Sequence, residues 1–328
     1  MKRIPFLIVS YTINIFLYNI YTYANNKITI YKKMSRDNPD DLVRKAQAKL
    51  TPGVLGKIFS SKESRNEEAL ELYEAAANAY KMRKDWENAG KSYEECARIS
   101  IELNSDSASN YYNEAAHCYK FTDKTKRQKM LDKSIEIYEN KGKFQQAGKL
   151  TKEMANELEI DLDYELAIEK YQKAAELFAM ESQNTRSLEQ QCLLKVADLM
   201  CITKHKDMNK KAPEIYEKLG MQYLTVPLLK SSAKDMFFKC VVCYLAQKEE
   251  GTAQIKLKRF LEEDPTFDDT RESRFLLKAI EYSGDPANVE GFKTEVANFK
   301  SYRDLDKWKL NMFALIVDKL EKEDESMI

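Results

Sequence analysis

The chain has 328 residues, 43% of them apolar and 32% charged, enough to bury a core and remain soluble. Lysine plus arginine equals aspartate plus glutamate at 53 each, and a net charge of zero excludes wholesale nucleic-acid binding, which needs a basic excess to displace counterions from phosphates. Nine glycines and seven prolines are about 5% of the chain against an average of about 12%; strands and tight turns need more punctuation, so the class is all-α.

The first segment, "IPFLIVSYTINIFLYNIYTYA" at residues 4–24, carries no charge. Lys2 and Arg3 before it mimic a secretory signal, but Ser10, Thr12, Asn14, Asn19 and Thr22 interrupt the apolar run. Thr22-Tyr23-Ala24 also fits a cleavage site poorly. Residues 1–33 are therefore expected to be a leader outside the functional protein, which would start at Met34 with "MSRDNPDDLVRKAQAKL". A retained leader would tether a cytosolic body to a membrane.

An opening helix is followed by "TPGVLGKIFSS", residues 51–61. Its Val54, Leu55, Ile58 and Phe59 either fold back on the next helices or form an exposed apolar loop that dips into a membrane, with Lys57 and Lys62 beside anionic headgroups.

From there a small–Tyr–small triplet recurs at i, i+4 and i+8: Ala69-Tyr73-Ala77, Ala89-Tyr93-Ala97, Ala108-Tyr112-Ala116 and Ala167-Tyr171-Ala175. Ala147-Thr151-Ala155 fills a matching slot, and the slot near residue 128 is degenerate, with Leu131 and Ile135 the nearest equivalents. One unit of about 20 residues repeats. Those positions share one helical stripe, where alanines admit a neighbouring helix and tyrosine fills the groove. Two units make a hairpin, and hairpins that cannot bury both faces alone stack. Trp86-x-x-Ala89 followed by Tyr93 is close to tetratricopeptide chemistry. The expected architecture is a right-handed superhelix of tetratricopeptide-like hairpins over 34–247, then a C-terminal helical bundle over 248–328.

Little in the chain looks catalytic. His117 lies in a helical run and His205 in a polar connector, while zinc-protease, nucleophile-elbow and Gly-rich phosphate patterns are all missing. Six scattered cysteines, including Cys240-Val-Val-Cys243, read as reduced packing residues. An enzyme is not expected, nor a metal or other cofactor. "VPLLKSSAKDMFFKC", 226–240, reads as an amphipathic helix with Lys230, Lys234 and Lys239 outward and Phe237 and Phe238 inward. The tail "LEKEDESMI" is acidic with an apolar tip, a solvated end or a dock for a basic partner.

Several of these stretches resemble the soluble NSF attachment proteins of the alpha type: "YEAAANAYKMRKDWENAGKSYEECA", "SIEIYENKGKFQQAGKLTKEMAN", "AIEKYQKAAELF", "CLLKVADL", "PLLKSSAKDMFFKC", "DPTFDDTRES" and "DLDKWK". The resemblance runs from about residue 41 to the C-terminus. It implies an adaptor without an active site that binds the syntaxin-type four-helix SNARE bundle left after membrane fusion. The adaptor then recruits the AAA+ ATPase NSF and stimulates its ATP hydrolysis, so that the bundle is pulled apart. It also implies a cytoplasmic protein, peripheral on the cytosolic face of transport membranes.

By that resemblance the SNARE-binding positions are Lys84, Lys143, Lys149, Lys195, Lys234 and Arg271, with Leu228 an apolar contact. A further family lysine is Gln191 here, which weakens or shifts that contact. The NSF-binding positions are Glu249, Glu250, Glu281, Asp285, Asp324 and Glu325, and Met327 replaces the penultimate leucine that stimulates the ATPase. Val54, Leu55, Ile58 and Phe59 correspond to the family's membrane-attachment loop. The alternative is a generic tetratricopeptide-type adaptor for peptide tails or chaperones.

Overall fold

The computed structural model describes residues 38–53, 60–181, 183–284, 287–302 and 304–327, except for the side chains of 183, 302 and 323–327. Fourteen α-helices and three short 3₁₀ turns, with no strand, make up the secondary structure of the described residues. The all-α class holds. The leader and the 54–59 loop lie outside the described residues.

The chain divides into two compact units, one ending at residue 143 and the other beginning at 144. The first contains α1 (Pro39–Leu50), α2 (Lys62–Met82), α3 (Trp86–Glu102), α4 (Ala108–Tyr119) and α5 (Lys124–Asn140). The second contains α6 (Phe144–Ile160), α7 (Tyr164–Ala179), α8 (Arg186–Thr203), α9 (Met208–Leu224), α10 (Lys230–Leu245), α11 (Glu250–Glu263), α12 (Arg271–Ser283), α13 (Val289–Tyr302) and α14 (Lys307–Met327). Helix starts are capped where the chain turns: Asp85 accepts from the Asn88 amide at 3.3 Å, Asp123 from Lys126 at 2.9 Å and Thr270 from Ser273 at 3.1 Å. Such caps contribute about 1 kcal/mol each.

The triplets are the seams of the hairpins. Ala69, Ala77, Ala89, Ala97, Ala116, Ala147, Ala155 and Ala167 are wholly buried, and so are Tyr171 and the helix-facing parts of Tyr73, Tyr93 and Tyr112. Two of the tyrosine hydroxyls find their partners on the preceding helix. Tyr93 donates to Asn78 at 2.8 Å, and the Tyr171 hydroxyl lies 2.6 Å from both Asn156 and Glu159 at the corresponding place two hairpins later. The degenerate slot has a physical reason: Arg127 stands where a small residue belongs, buried, with its guanidinium on the Ala116 carbonyl at 3.1 Å. Leu131 and Ile135 continue that stripe and are buried.

Close approach also uses glycine. A Cβ at Gly148 of α6 would lie 2.8 Å from the ring of buried Phe178 in α7. Only a hydrogen fits there.

Contacts one hairpin apart in sequence tie alternate helices into layers. In the second unit, α6 meets α8 through Lys195–Glu159 at 2.7 Å and Lys152–Gln191 at 2.8 Å. Helix α8 meets α10 through Lys239–Asp198 at 2.9 Å, and α10 meets α12 through Phe238 and Phe275, ring centroids 5.9 Å apart. In the opposite layer Glu217 of α9 receives Lys256 and Arg259 of α11 at 2.6 and 2.7 Å. A phenylalanine cluster closes the end of this unit, with Phe275 4.7 Å from Phe299 and 5.0 Å from Phe313 between centroids. Each such ring buried from water contributes about 1.5–3 kcal/mol.

One sequence expectation is corrected here. Lys239 does not face outward; it is only 8% exposed. Helix α10 is covered on nearly every side from Met236 to Cys243, so a lysine within it must find partners. Its ammonium lies 2.9 Å from Asp198 and 3.7 Å from Asp235, over the rings of Tyr216 and Trp308 at 5.6 and 5.4 Å. Burial is the largest influence on its pKa and pulls it down, but Asp198, Asp235 and Asp306 outweigh it and the pKa is raised. It stays charged inside the protein.

All six cysteines are buried and reduced. Cys201 and Cys243 lie 3.7 Å apart between α8 and α10, and burial pushes the Cys243 thiol well up, which keeps it unreactive. His117 is exposed, whereas His205 is packed in its turn, with Nε2 3.2 Å from Glu165.

Candidate functional site

The basic positions expected to meet a SNARE bundle are distributed by the repeat. In the second unit Lys149 is on α6, Lys195 on α8, Lys234 on α10 and Arg271 at the start of α12. These four helices form the layer described above, so four cations separated by more than a hundred residues share one layer. Leu228, in the 3₁₀ turn leading into α10, is 94% exposed. An isolated leucine that bare has no packing role in the monomer.

Most of these cations are held in place rather than loose. Lys195 bridges both carboxylate oxygens of Glu159 at 2.7 and 3.0 Å. Burial is the largest influence on the Glu159 carboxyl and raises its pKa, but hydrogen bonds from Lys195 and Tyr171 outweigh it and hold the carboxyl below its ordinary value. Lys234 donates to the Thr266 carbonyl at 2.8 Å. Arg271 stacks over Phe299 at 4.3 Å and reaches Glu272 at 3.3 Å. Lys149 is exposed and makes no ion pair among the described residues.

Gln191, where a cation was expected, accepts from Lys152 at 2.8 Å. The charge missing from α8 is therefore supplied by α6. Lys152 was not foreseen, because its pairing with a residue 39 positions away leaves no mark in local sequence.

Two more basic positions belong to the first unit. Lys84 is exposed in the turn between α2 and α3, in the left-handed region at φ 60°. Lys143 follows α5, with its ammonium 3.8 Å from Asp106.

The acidic positions lie around α11 and α12, Glu281 ten residues beyond Arg271 on the same helix. Glu249 caps α11, its carbonyl accepting from Ala253 at 2.8 Å. Glu250 and Glu281, 31 residues apart in sequence, flank one open groove of about 640 Å³ between α11 and α12, floored by Leu257, Leu261 and Ile280. Asp285 lies outside the described residues. The backbone of α14 is helical through Met327, while the side chains of Asp324, Glu325 and Met327 lie outside them. No helix among the described residues is long and apolar enough to cross a membrane.

The family described as "Soluble NSF attachment protein, SNAP" matches residues 37–321. The chain belongs to the soluble NSF attachment protein family. It is 34% identical over 282 residues to the beta-soluble NSF attachment protein of Bos taurus, covering 85% of this chain and 92% of that relative. Similarity to the vesicular-fusion protein SEC17 of Komagataella phaffii is 32% over 292 residues, 87% of this chain and 96% of the relative. Similarity to the alpha-soluble NSF attachment protein of Homo sapiens is 32% over 266 residues, 80% and 88%. Family membership rests on nearly the whole length of the chain and not on the repeat alone.

Proposed function

We propose that this attachment protein is an adaptor that binds SNARE bundles, recruits the AAA+ ATPase NSF and stimulates its ATP hydrolysis, so that bundles are disassembled after membrane fusion. The observation that carries the reading is the basic layer: Lys149, Lys195, Lys234 and Arg271 on α6, α8, α10 and α12, beside exposed Leu228. An acidic helical bundle is the complementary partner.

Each exposed ion pair contributes on the order of 0.2–1 kcal/mol, so affinity rests on the set and falls with salt. Lys195 must trade Glu159 for the bundle, and the net gain at that position is correspondingly small. Leu228 supplies apolar area that salt does not screen. The ATPase would meet the carboxylates Glu249, Glu250, Glu281 and Asp285 together with the tail Asp324, Glu325 and Met327. In this reading the bundle is held by residues 34–247 with Arg271, and the ATPase by 248–328. Peripheral contact with the cytosolic face of a membrane is assigned to Val54, Leu55, Ile58 and Phe59, with no nucleic acid involved. ATP-dependent disassembly of a soluble SNARE complex by NSF, with and without this protein, tests the reading.

A further inference from the structure

The turn that carries Lys84 holds a second feature that charge does not explain. Met82, the last residue of α2, is 77% exposed, and Phe121, in the turn after α4, is 63% exposed. Phe121 is nevertheless not loose: its ring stacks on Trp86, the first residue of α3, with centroids 4.6 Å apart and 26° between planes. Both turns are closed by backbone bonds, Asp85 to Tyr80 at 3.0 Å and Asp123 to Tyr119 at 2.9 Å. An aromatic ring is thus held rigidly at the edge of the first unit, with Met82 ending the helix before Trp86 and Lys84 in the turn between them.

The exposed charges of the two turns are basic, Arg83 and Lys84 in one and Lys120 and Lys124 around the other, while the acidic groups are partly buried and engaged. Asp85 and Asp123 are engaged as helix caps, and Glu87 is paired with Lys126 at 2.6 Å and Lys91 at 3.3 Å. Arg83 and Lys84 follow Met82 directly in the chain and are exposed. The edge therefore offers a rigid apolar platform with cations at its rim, which complements a helix bearing aliphatic and acidic side chains.

Resting on the function proposed above, we infer that Met82, Trp86 and Phe121 form an apolar anchor for the SNARE bundle next to Lys84. Ordering a side chain costs affinity, and a ring already fixed by stacking avoids that cost. A membrane surface fits less well. Lys62, at the end of α2 nearest the 54–59 segment in sequence, is separated from Met82 by the 21 residues of α2, about 30 Å of helix.

The test is binding of a fluorescent soluble SNARE complex at low and high salt, with vesicles of phosphatidylserine and phosphatidylcholine as a second probe. Phe121→Ser is expected to weaken SNARE binding about tenfold at both salt concentrations, and Phe121→Leu to restore most of it. Lys84→Ala is expected to lose less at high salt than at low. Unchanged circular dichroism and melting of the variants would establish that the fold is intact, as expected for a residue this exposed. Wild-type SNARE binding by Phe121→Ser would overturn the inference and leave the adaptor reading standing. Loss of vesicle binding with SNARE binding unchanged would overturn it too, and assign the edge to lipid. Failure of the unaltered protein to bind SNARE complex at all would instead remove the reading on which the inference rests.

Discussion

Asp198→Ala should be among the most damaging single changes in the second unit, and more damaging than removal of its partner Lys239. The alanine strands an ammonium whose side chain is 10% exposed, leaving Asp235 at 3.7 Å, the more remote charge of Asp306 and two ring faces. Breaking a buried pair from one side costs about 3–5 kcal/mol. Asp235 and the rings recover about 1 kcal/mol. The Tyr216 hydroxyl, which donates to Asp198 at 2.6 Å, loses its acceptor at a cost of about 1 kcal/mol. The last two contributions cancel, so the expected loss is about 3–5 kcal/mol. Lys239→Met keeps the volume and removes the charge, leaving Asp198 with the Tyr216 hydroxyl and a side chain 25% exposed to water, so about 1 kcal/mol is expected. The double variant should be more stable than Asp198→Ala alone, because no ammonium is stranded. Urea unfolding followed by fluorescence in a Trp86→Phe background reads the difference through Trp308, whose indole sits 5.4 Å from the ammonium. An Asp198→Ala loss under about 1 kcal/mol, or additive losses in the double variant, would refute the reasoning.

Gly148→Ala should destabilise by about 1–3 kcal/mol, read as a lower urea midpoint, because buried Phe178 has nowhere to move; a neutral result would mean that the helices yield. The Glu159 carboxyl is held below its ordinary value by Lys195 and Tyr171, so its contribution to stability is present above the unfolded value of about 4.3 and is lost as pH falls through the folded one. Lys195→Met should raise the Glu159 titration in an NMR pH series, and an unmoved titration would deny the pairing. Met327→Ala should leave SNARE binding intact while lowering stimulated ATP hydrolysis; loss of both together would show that the tail has been assigned wrongly.

The seams were legible because alanine at i and i+8 around a tyrosine is a local pattern, and burial of those alanines follows from it directly. Reduced, packed cysteines and the absence of strands were equally local readings. What stayed hidden depends on pairs about one hairpin apart. Lys239 looks like an outward lysine within "DMFFKC", and only Asp198, 41 residues earlier and across a helix boundary, makes its burial possible. Lys152 compensating Gln191 is invisible for the same reason. Arg127 broke the repeat in the sequence because a buried guanidinium replaced a small side chain, which no spacing rule anticipates. Phe121 was passed over because an aromatic in a turn shows no periodicity, and its stacking on Trp86 is purely tertiary.

The central claim is that the basic layer engages a SNARE bundle so that NSF can take it apart. The most direct measurement is ATP-dependent disassembly of a fluorescently labelled soluble SNARE complex by NSF, with the unaltered protein and with Lys149 and Lys195 both changed to glutamate. Disassembly that requires the protein, and that the double reversal abolishes while its helical content is unchanged, is the expected result. Disassembly that is absent with the folded, unaltered protein, or undiminished by the reversal, would contradict it.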